Sequence, residues 1–206
     1  MRRVLNVAAP VLPFLLLWQA GNAAAQNAVA LENDYVRVTR DMAACAAAGP
    51  NCPDRVVVAM GNLELSGRKM KRGDVAVFKA GNSYAPPSGG PFYEIAIKPG
   101  HPPVKSPAEM IPPDKNAMVY DGETFFVYEE RLAVGDTRPR HSHSQRVEVR
   151  INQGPVVWQM VEGRDQPIEP PMVNFREAMI HTTRNVGDAP LFNIIVEFRP
   201  EKGTAR

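Results

Sequence analysis

The chain has 206 residues, with 24 Lys and Arg against 22 Asp and Glu, and it is 44% apolar and 22% charged. The surplus bases, Arg2 and Arg3, lie in the first 25 residues, where no acid occurs, so the rest of the chain is electrically balanced. That balance excludes a general nucleic-acid binder, which needs surplus Lys and Arg to displace counterions from phosphate. It also excludes a polybasic membrane-surface protein, and the composition is that of a globular chain.

Residues 1–25 read as a secretory signal peptide. Arg2-Arg3 supplies the charged start, Val7 to Trp18 the apolar stretch, and Ala23-Ala24-Ala25 a small-residue cleavage site before Gln26. The apolar run is shorter than the ~20 residues that span a bilayer, so no membrane anchor is expected after cleavage. The mature protein is expected in the periplasm or outside the cell. An oxidising compartment and an even count favour a disulfide between Cys45 and Cys52. Two cysteines without a CxxC pair do not make a zinc knuckle.

The 20 prolines are about twice the usual ~5% and leave little room for long helices. Period-two segments follow: Tyr35–Arg40, Arg55–Val58, Asp74–Phe78 and Phe92–Ile97, then Thr124–Tyr128, Val147–Ile151, Val156–Val161 and Leu191–Phe198. Short strands punctuated by Gly, Pro, Asn and Asp predict an all-β sandwich or barrel. Six prolines between Pro99 and Pro113 predict an extended connector over 99–116. It separates β units at 26–98 and 117–206.

The two units echo each other, the mark of an internal duplication. Glu32–Arg40 overlays Glu123–Arg131, with Arg40 on Arg131, and the same register carries Arg55 onto Arg146. Gly73–Phe78 overlays Pro170–Phe175, which places Tyr84 opposite His181.

Three of the four histidines gather in the second unit. His141 and His143, at i and i+2, share one face of a strand; Glu148 follows, and His181 lies on a later strand. Three imidazoles and a carboxylate suit a borderline divalent ion such as iron, manganese, nickel, copper or zinc, with positions left open for water or a ligand. If Glu148 faces inward, Arg150 shares its face, where a guanidinium either pairs with Glu148 or receives an anion. Gln159 and Asn174 are further inward candidates for ligand contact. His101, in the connector, is expected to be a solvated side chain without a role. A serine nucleophile at Ser142 or Ser144 lacks a base and an orienting acid.

Here the sequence resembles the cupins. Their first motif is Gly, five residues, His-x-His, three or four residues, Glu, six residues, Gly. This chain has Gly135, five residues, His141-Ser142-His143, four residues, Glu148, five residues and Gly154. Their second motif is Pro-x-Gly-x-x-His with Asn four residues on. His181 and Asn185 match it, but Arg176 and Ala178 replace Pro and Gly. The resemblance implies a duplicated cupin-type double-sheet β-barrel, jelly-roll-like, with the metal motif only in the second copy. In the first copy Pro50, Cys52, Val57 and Tyr84 stand where His141, His143, Glu148 and His181 stand in the second. It further implies a small-molecule ligand, no nucleic-acid partner, and pairing of copies through edge strands as a homodimer. Three functions follow: a metal-dependent enzyme of dioxygenase, isomerase, decarboxylase or lyase type, a non-catalytic small-molecule binder, or a barrel stabilised by its metal.

Overall fold

The computed structural model describes residues 28–43, 45, 49–112, 114, 116–152, 157–161, 164–168 and 172–200, with the backbone path alone at 157–161 and 164–168. The expected signal over 1–25, and Gly154, lie outside the described residues. The described chain is all β. The first half carries β1 (Val29–Glu32), β2 (Val36–Arg40), β3 (Arg55–Ala59), β4 (Leu63–Leu65), β5 (Arg68–Met70), β6 (Val75–Phe78) and β7 (Phe92–Ile97). The second half carries β8 (Asn116–Asp121), β9 (Phe125–Leu132), β10 (Thr137–His143), β11 (Arg146–Arg150) and β12 (Val157–Val161). It continues with β13 (Arg164–Ile168), β14 (Val173–Arg176), β15 (Met179–Asn185) and β16 (Leu191–Phe198).

The strands form two five-stranded antiparallel sheets, ordered β1-β2-β7-β3-β6 and β8-β9-β16-β11-β14. Strand for strand, the two orders are the same. The second half adds a four-stranded sheet, β10-β15-β12-β13, which makes a double-sheet barrel; the first half adds only the hairpin β4-β5. The hairpin sits in chain order where β12-β13 sits. The first half therefore has no counterpart of β10 and β15 among the described residues. Pro50, Cys52 and Tyr84 lie in non-strand segments instead, and Val57 packs into an apolar interior with Leu63, Leu65, Met70 and Phe92.

The five-stranded sheets stack face to face. Val36, Val38, Val56, Val58 and Ile95 of the first pack with Val127, Val147, Val149, Ile194 and Val196 of the second in one buried cluster. This explains a detail of sequence patterning. The edge strand β1 alternates in burial, whereas the inner strands β3 and β7 are buried along their whole length. One face of each inner strand meets the opposing sheet and the other lines its own interior. The overlay of Phe78 on Phe175 is corrected by this geometry. Phe78 pairs with Arg55 and joins the first-half interior, whereas Phe175 pairs with Val147 and packs on the inter-sheet core. The overlay is displaced by one residue, and one residue reverses the face.

The proline-rich segment is docked against the second half. Val104 is buried in the inter-sheet cluster. Lys105 N–H donates to Gln145 Oε1 at 2.9 Å, and Ile111 N–H donates to Ser142 Oγ at 2.7 Å. His101 is not merely solvated: its ring lies 5.4 Å from that of Tyr35 and 5.8 Å from that of Phe198. Cys45 and Cys52 form a disulfide with a Cα–Cα distance of 5.9 Å. It closes the loop before β3, and Arg55 Nη1 donates to Cys45 O at 3.0 Å.

Two outcomes follow from this packing. Ile95→Ala, at a fully buried position shared by both sheets, is expected to cost about 2–5 kcal/mol in urea unfolding. Its loss of amide protection is expected to spread into β9, β11 and β16; protection lost only in the first half would mean that the halves fold apart. Denatured, unreduced protein is expected to show no thiol reactive to alkylating reagents, whereas full labelling of Cys45 and Cys52 would exclude the bond.

Candidate metal centre

The histidine-bearing strands owe their shape to local features. Gly135, at φ +79°, turns the chain from β9 into β10, a backbone conformation that favours glycine. Asn185 fastens the far end of β15. Its Nδ2 donates to Ala189 O at 2.8 Å, and its Oδ1 accepts from Gly187 N–H at 3.1 Å. Along β10 the register slips between Arg138 and His141. Arg138 pairs with Thr183, and His141 pairs with His181. Thr183 and His181 share a face, so the bulge puts Arg138 on the same inner face as His141 and His143.

His141, His143 and His181 come together in the barrel interior, all buried, each offering a ligand atom within 4.8 Å of the others. Their ring centroids lie 4.5–5.1 Å apart. Nδ1 of His141 lies 2.7 Å from Pro139 O. A carbonyl only accepts, so Nδ1 carries the proton and Nε2 keeps its lone pair. That Nε2 is buried and has no hydrogen-bond partner. A buried imidazole nitrogen with a bare lone pair, facing two further imidazoles, is what a borderline divalent ion takes up.

The surroundings keep the rings neutral. Burial lowers the pKa of His141 from 6.5 to about 4; the bond to Pro139 opposes this, and Arg138 and Arg146 reinforce it. Burial, then Arg146 and His141, hold His143 well below the ordinary imidazole value. Burial, then His143 and Arg146, lower His181 in the same way. Neutral imidazole is the form that binds metal.

Glu148, expected as the fourth ligand, is not in this set. Its Oε1 accepts from Arg146 Nε at 2.9 Å and its Oε2 from Arg176 Nε at 3.2 Å. Burial pushes its carboxyl up, but the two guanidiniums outweigh that and hold it below the usual carboxylate range. Arg176, which replaces the proline of the second motif, is one of the two residues that occupy Glu148.

The remaining candidates divide. Arg150 lies on β11 two residues from Glu148, on the same face, half-buried and opposite Asn193. Asn174 is the cross-strand partner of Glu148 and also half-buried. Gln159 lies on β12 opposite Thr183; its side chain is outside what the structure describes. Arg140 is exposed and pairs with Glu109 at 3.1 Å.

Glu130, Tyr128 and Glu197 are not legible as site residues, and Arg138 is legible only as one of the arginines near the first motif. Arg138 is fully buried and pairs with Glu130 and with the Asn116 side chain. Glu130 also accepts from Asn193 Nδ2 at 2.9 Å. Tyr128 and Glu197 lie against His143. Glu197 has a signal in the sequence: it is the only charged residue in the run Leu191–Phe198, where Asn193 is the one other polar residue. The bulge that turns Arg138 inward has no signature in the sequence.

No family model matches the chain, and no curated protein matches it. Solved structures do. The oxalate decarboxylase of Lactobacillus farciminis, in its formate complex, is 12% identical over 82% of this chain and 78% of its own, with a TM-score of 0.53. A cupin 2 conserved barrel domain protein from Leptotrichia buccalis is 9% identical over 82% of this chain and 86% of its own, at 0.49. A cupin domain from Bordetella pertussis is 22% identical over 46% of this chain and 97% of its own, at 0.36. At these identities the likeness is one of fold. The fold is the all-β double-sheet barrel of the cupin type, as the two motifs predict.

The depressed histidines set a pH dependence for the metal-free protein. A group whose folded pKa is lowered contributes stability that is present above its unfolded value and is lost as pH falls. The urea midpoint of metal-free protein is therefore expected to fall as pH drops from about 6.5 toward about 4. Glu197, which burial pushes up, offsets part of this. A midpoint that is flat or rises through that window would contradict the buried neutral triad.

Proposed function

We propose that the chain is an exported bicupin whose second barrel holds one divalent transition ion on His141, His143 and His181 and brings a small organic anion to it. The observation that carries this reading is the convergence of three buried imidazoles with ligand atoms within 4.8 Å of one another, with Nε2 of His141 buried and without a hydrogen-bond partner. Iron, manganese, nickel, copper and zinc all suit this donor set. When bound, such an ion supplies Lewis acidity to a ligand oxygen.

The protein's own part is electrostatic. Arg138, Arg146, Arg150 and Arg176 belong to the same barrel, against Glu130, Glu148 and Glu197. Arg150 and Asn174, on the inner face beside Glu148, are the groups we assign to the ligand. A guanidinium pairs bidentately with a carboxylate, which makes a small carboxylic acid the ligand class. The enzyme reading is preferred over a metal that only stabilises the barrel. Three protein ligands leave coordination positions open, as catalytic sites do and closed structural sites do not. One cupin-type fold hosts many functions, so the decarboxylase named above supports the enzyme reading only by likeness of fold. The shared strand order of the two five-stranded sheets supports the duplication. The first copy, which among its described residues has no counterparts of β10 and β15, is assigned a packing role.

Metal content separates these assignments. By mass spectrometry of purified protein, His141→Ala and His181→Ala are each expected to lose most of the bound metal. Glu148→Gln is expected to retain it, because Glu148 is engaged by Arg146 and Arg176. Wild-type stoichiometry in both histidine variants would contradict the site, and metal lost only in Glu148→Gln would make that carboxylate a ligand.

A further inference from the structure

Behind the triad lies a carboxylate that the ligand set does not use. Glu197, on β16, is almost completely buried. Its Oε1 accepts from Ser144 N–H at 2.8 Å. Its Oε2 accepts from Tyr128 OH at 2.8 Å and stands 2.9 Å from His143 Nδ1. The same Nδ1 is 3.0 Å from Tyr128 OH. All these groups are shielded from water, so their protons must be shared among themselves.

The protons can be assigned by counting. Tyr128 has one hydroxyl hydrogen, and it goes to Glu197; burial and the Glu197 charge also hold the phenol well above its ordinary pKa, so that hydrogen stays in place. Nδ1 of His143 then faces two oxygens, neither of which has a hydrogen to offer while Glu197 is ionised. Nδ1 must be the donor, which leaves Nε2 with the lone pair. Burial raises the Glu197 carboxyl, while the bonds from Tyr128 and Ser144 act against it. Three donors converge on one carboxylate, and only the ionised form accepts them all.

We propose that Glu197, supported by Tyr128, is the positioning residue of this centre: it fixes His143 as the Nδ1–H tautomer, aims Nε2 at the ion and raises the basicity of that nitrogen. His141 is held in the same tautomer by a neutral backbone carbonyl, whereas the support behind His143 is a carboxylate. A carboxylate behind a ligating imidazole orients the ring and strengthens its bond to metal. The metal part of this inference rests on the three-histidine reading; the tautomer part does not.

The test uses the full chain. Long-range nitrogen–proton NMR of histidine-labelled, metal-free wild type is expected to show His143 protonated at Nδ1 and bare at Nε2. In Glu197→Gln, of nearly the same shape, the Nε2–H tautomer is expected to become populated. Zinc(II) affinity, read by competition with a chelating dye, is expected to fall about 10–100-fold. Tyr128→Phe keeps the carboxylate, so it should keep the tautomer and lose zinc affinity by a smaller factor. A packing role alone would lower the unfolding midpoint of Glu197→Gln and leave tautomer and zinc affinity unchanged, which overturns the proposal. An Nε2–H tautomer in wild type also overturns it, and that measurement needs no variant to fold. Wild type that shows the Nδ1–H tautomer yet binds no zinc supports the tautomer role and defeats the metal-centre reading instead.

Discussion

Burying many polar side chains in one small barrel is the constraint on which the rest of the structure depends. Arg138, Arg146, His141, His143, His181, Glu130 and Glu197 are all withdrawn from water. An unpaired charge in such a place is very costly. The interior meets this in two ways. The charged groups are matched, Arg138 to Glu130 and Arg146 to Glu148. The imidazoles are made neutral, because burial and the nearby guanidiniums both penalise their protonation. Neutral imidazole is the form that binds metal.

The fold supplies the positions. The two five-stranded sheets pack through Val and Ile side chains, which anchors β11 and β16 on one face. Their other face presents Arg146, Glu148 and Glu197 to the barrel. The opposing sheet brings β10 and β15 together, with His141 directly across from His181. Among the described residues the first half has no strands equivalent to β10 and β15, and the Cys45–Cys52 disulfide lies ahead of β3. The interior of that half holds a different polar group: Tyr84 donates to Glu94, and the Arg55 guanidinium lies 5.2 Å from the Tyr84 ring centre. The same sheet order thus frames an apolar interior with one internal polar cluster in the first half and a histidine cluster in the second.

Much of this was legible from local spacing. Period-two patterning located most strands, and Gly135, His141, His143, His181 and Asn185 could be placed because motif spacing encodes which turn and which face each occupies. What escaped depends on relations between strands. The β10 bulge that turns Arg138 inward is set by pairing with β15, and nothing in Arg138-Pro139-Arg140 announces it. Spacing makes Glu148 a ligand candidate, but its bond from Arg176, on a neighbouring strand 28 residues on, depends on cross-strand pairing. The one-residue displacement of Phe78 against Phe175 is of the same kind. Spacing along one strand fixes alternation, and only the cross-strand register fixes which face is which. The docking of His101 and of the proline-rich connector leaves no periodic trace in the sequence.

The ligand set we propose is three imidazoles without the Glu148 carboxylate. The most direct measurement is X-ray absorption at the metal edge of the purified full-length protein carrying its bound ion. A first shell of nitrogen and oxygen atoms with multiple scattering from three imidazole rings is expected, unchanged in Glu148→Gln. Fewer than three imidazoles, or a first shell that loses an oxygen ligand in Glu148→Gln, would contradict it.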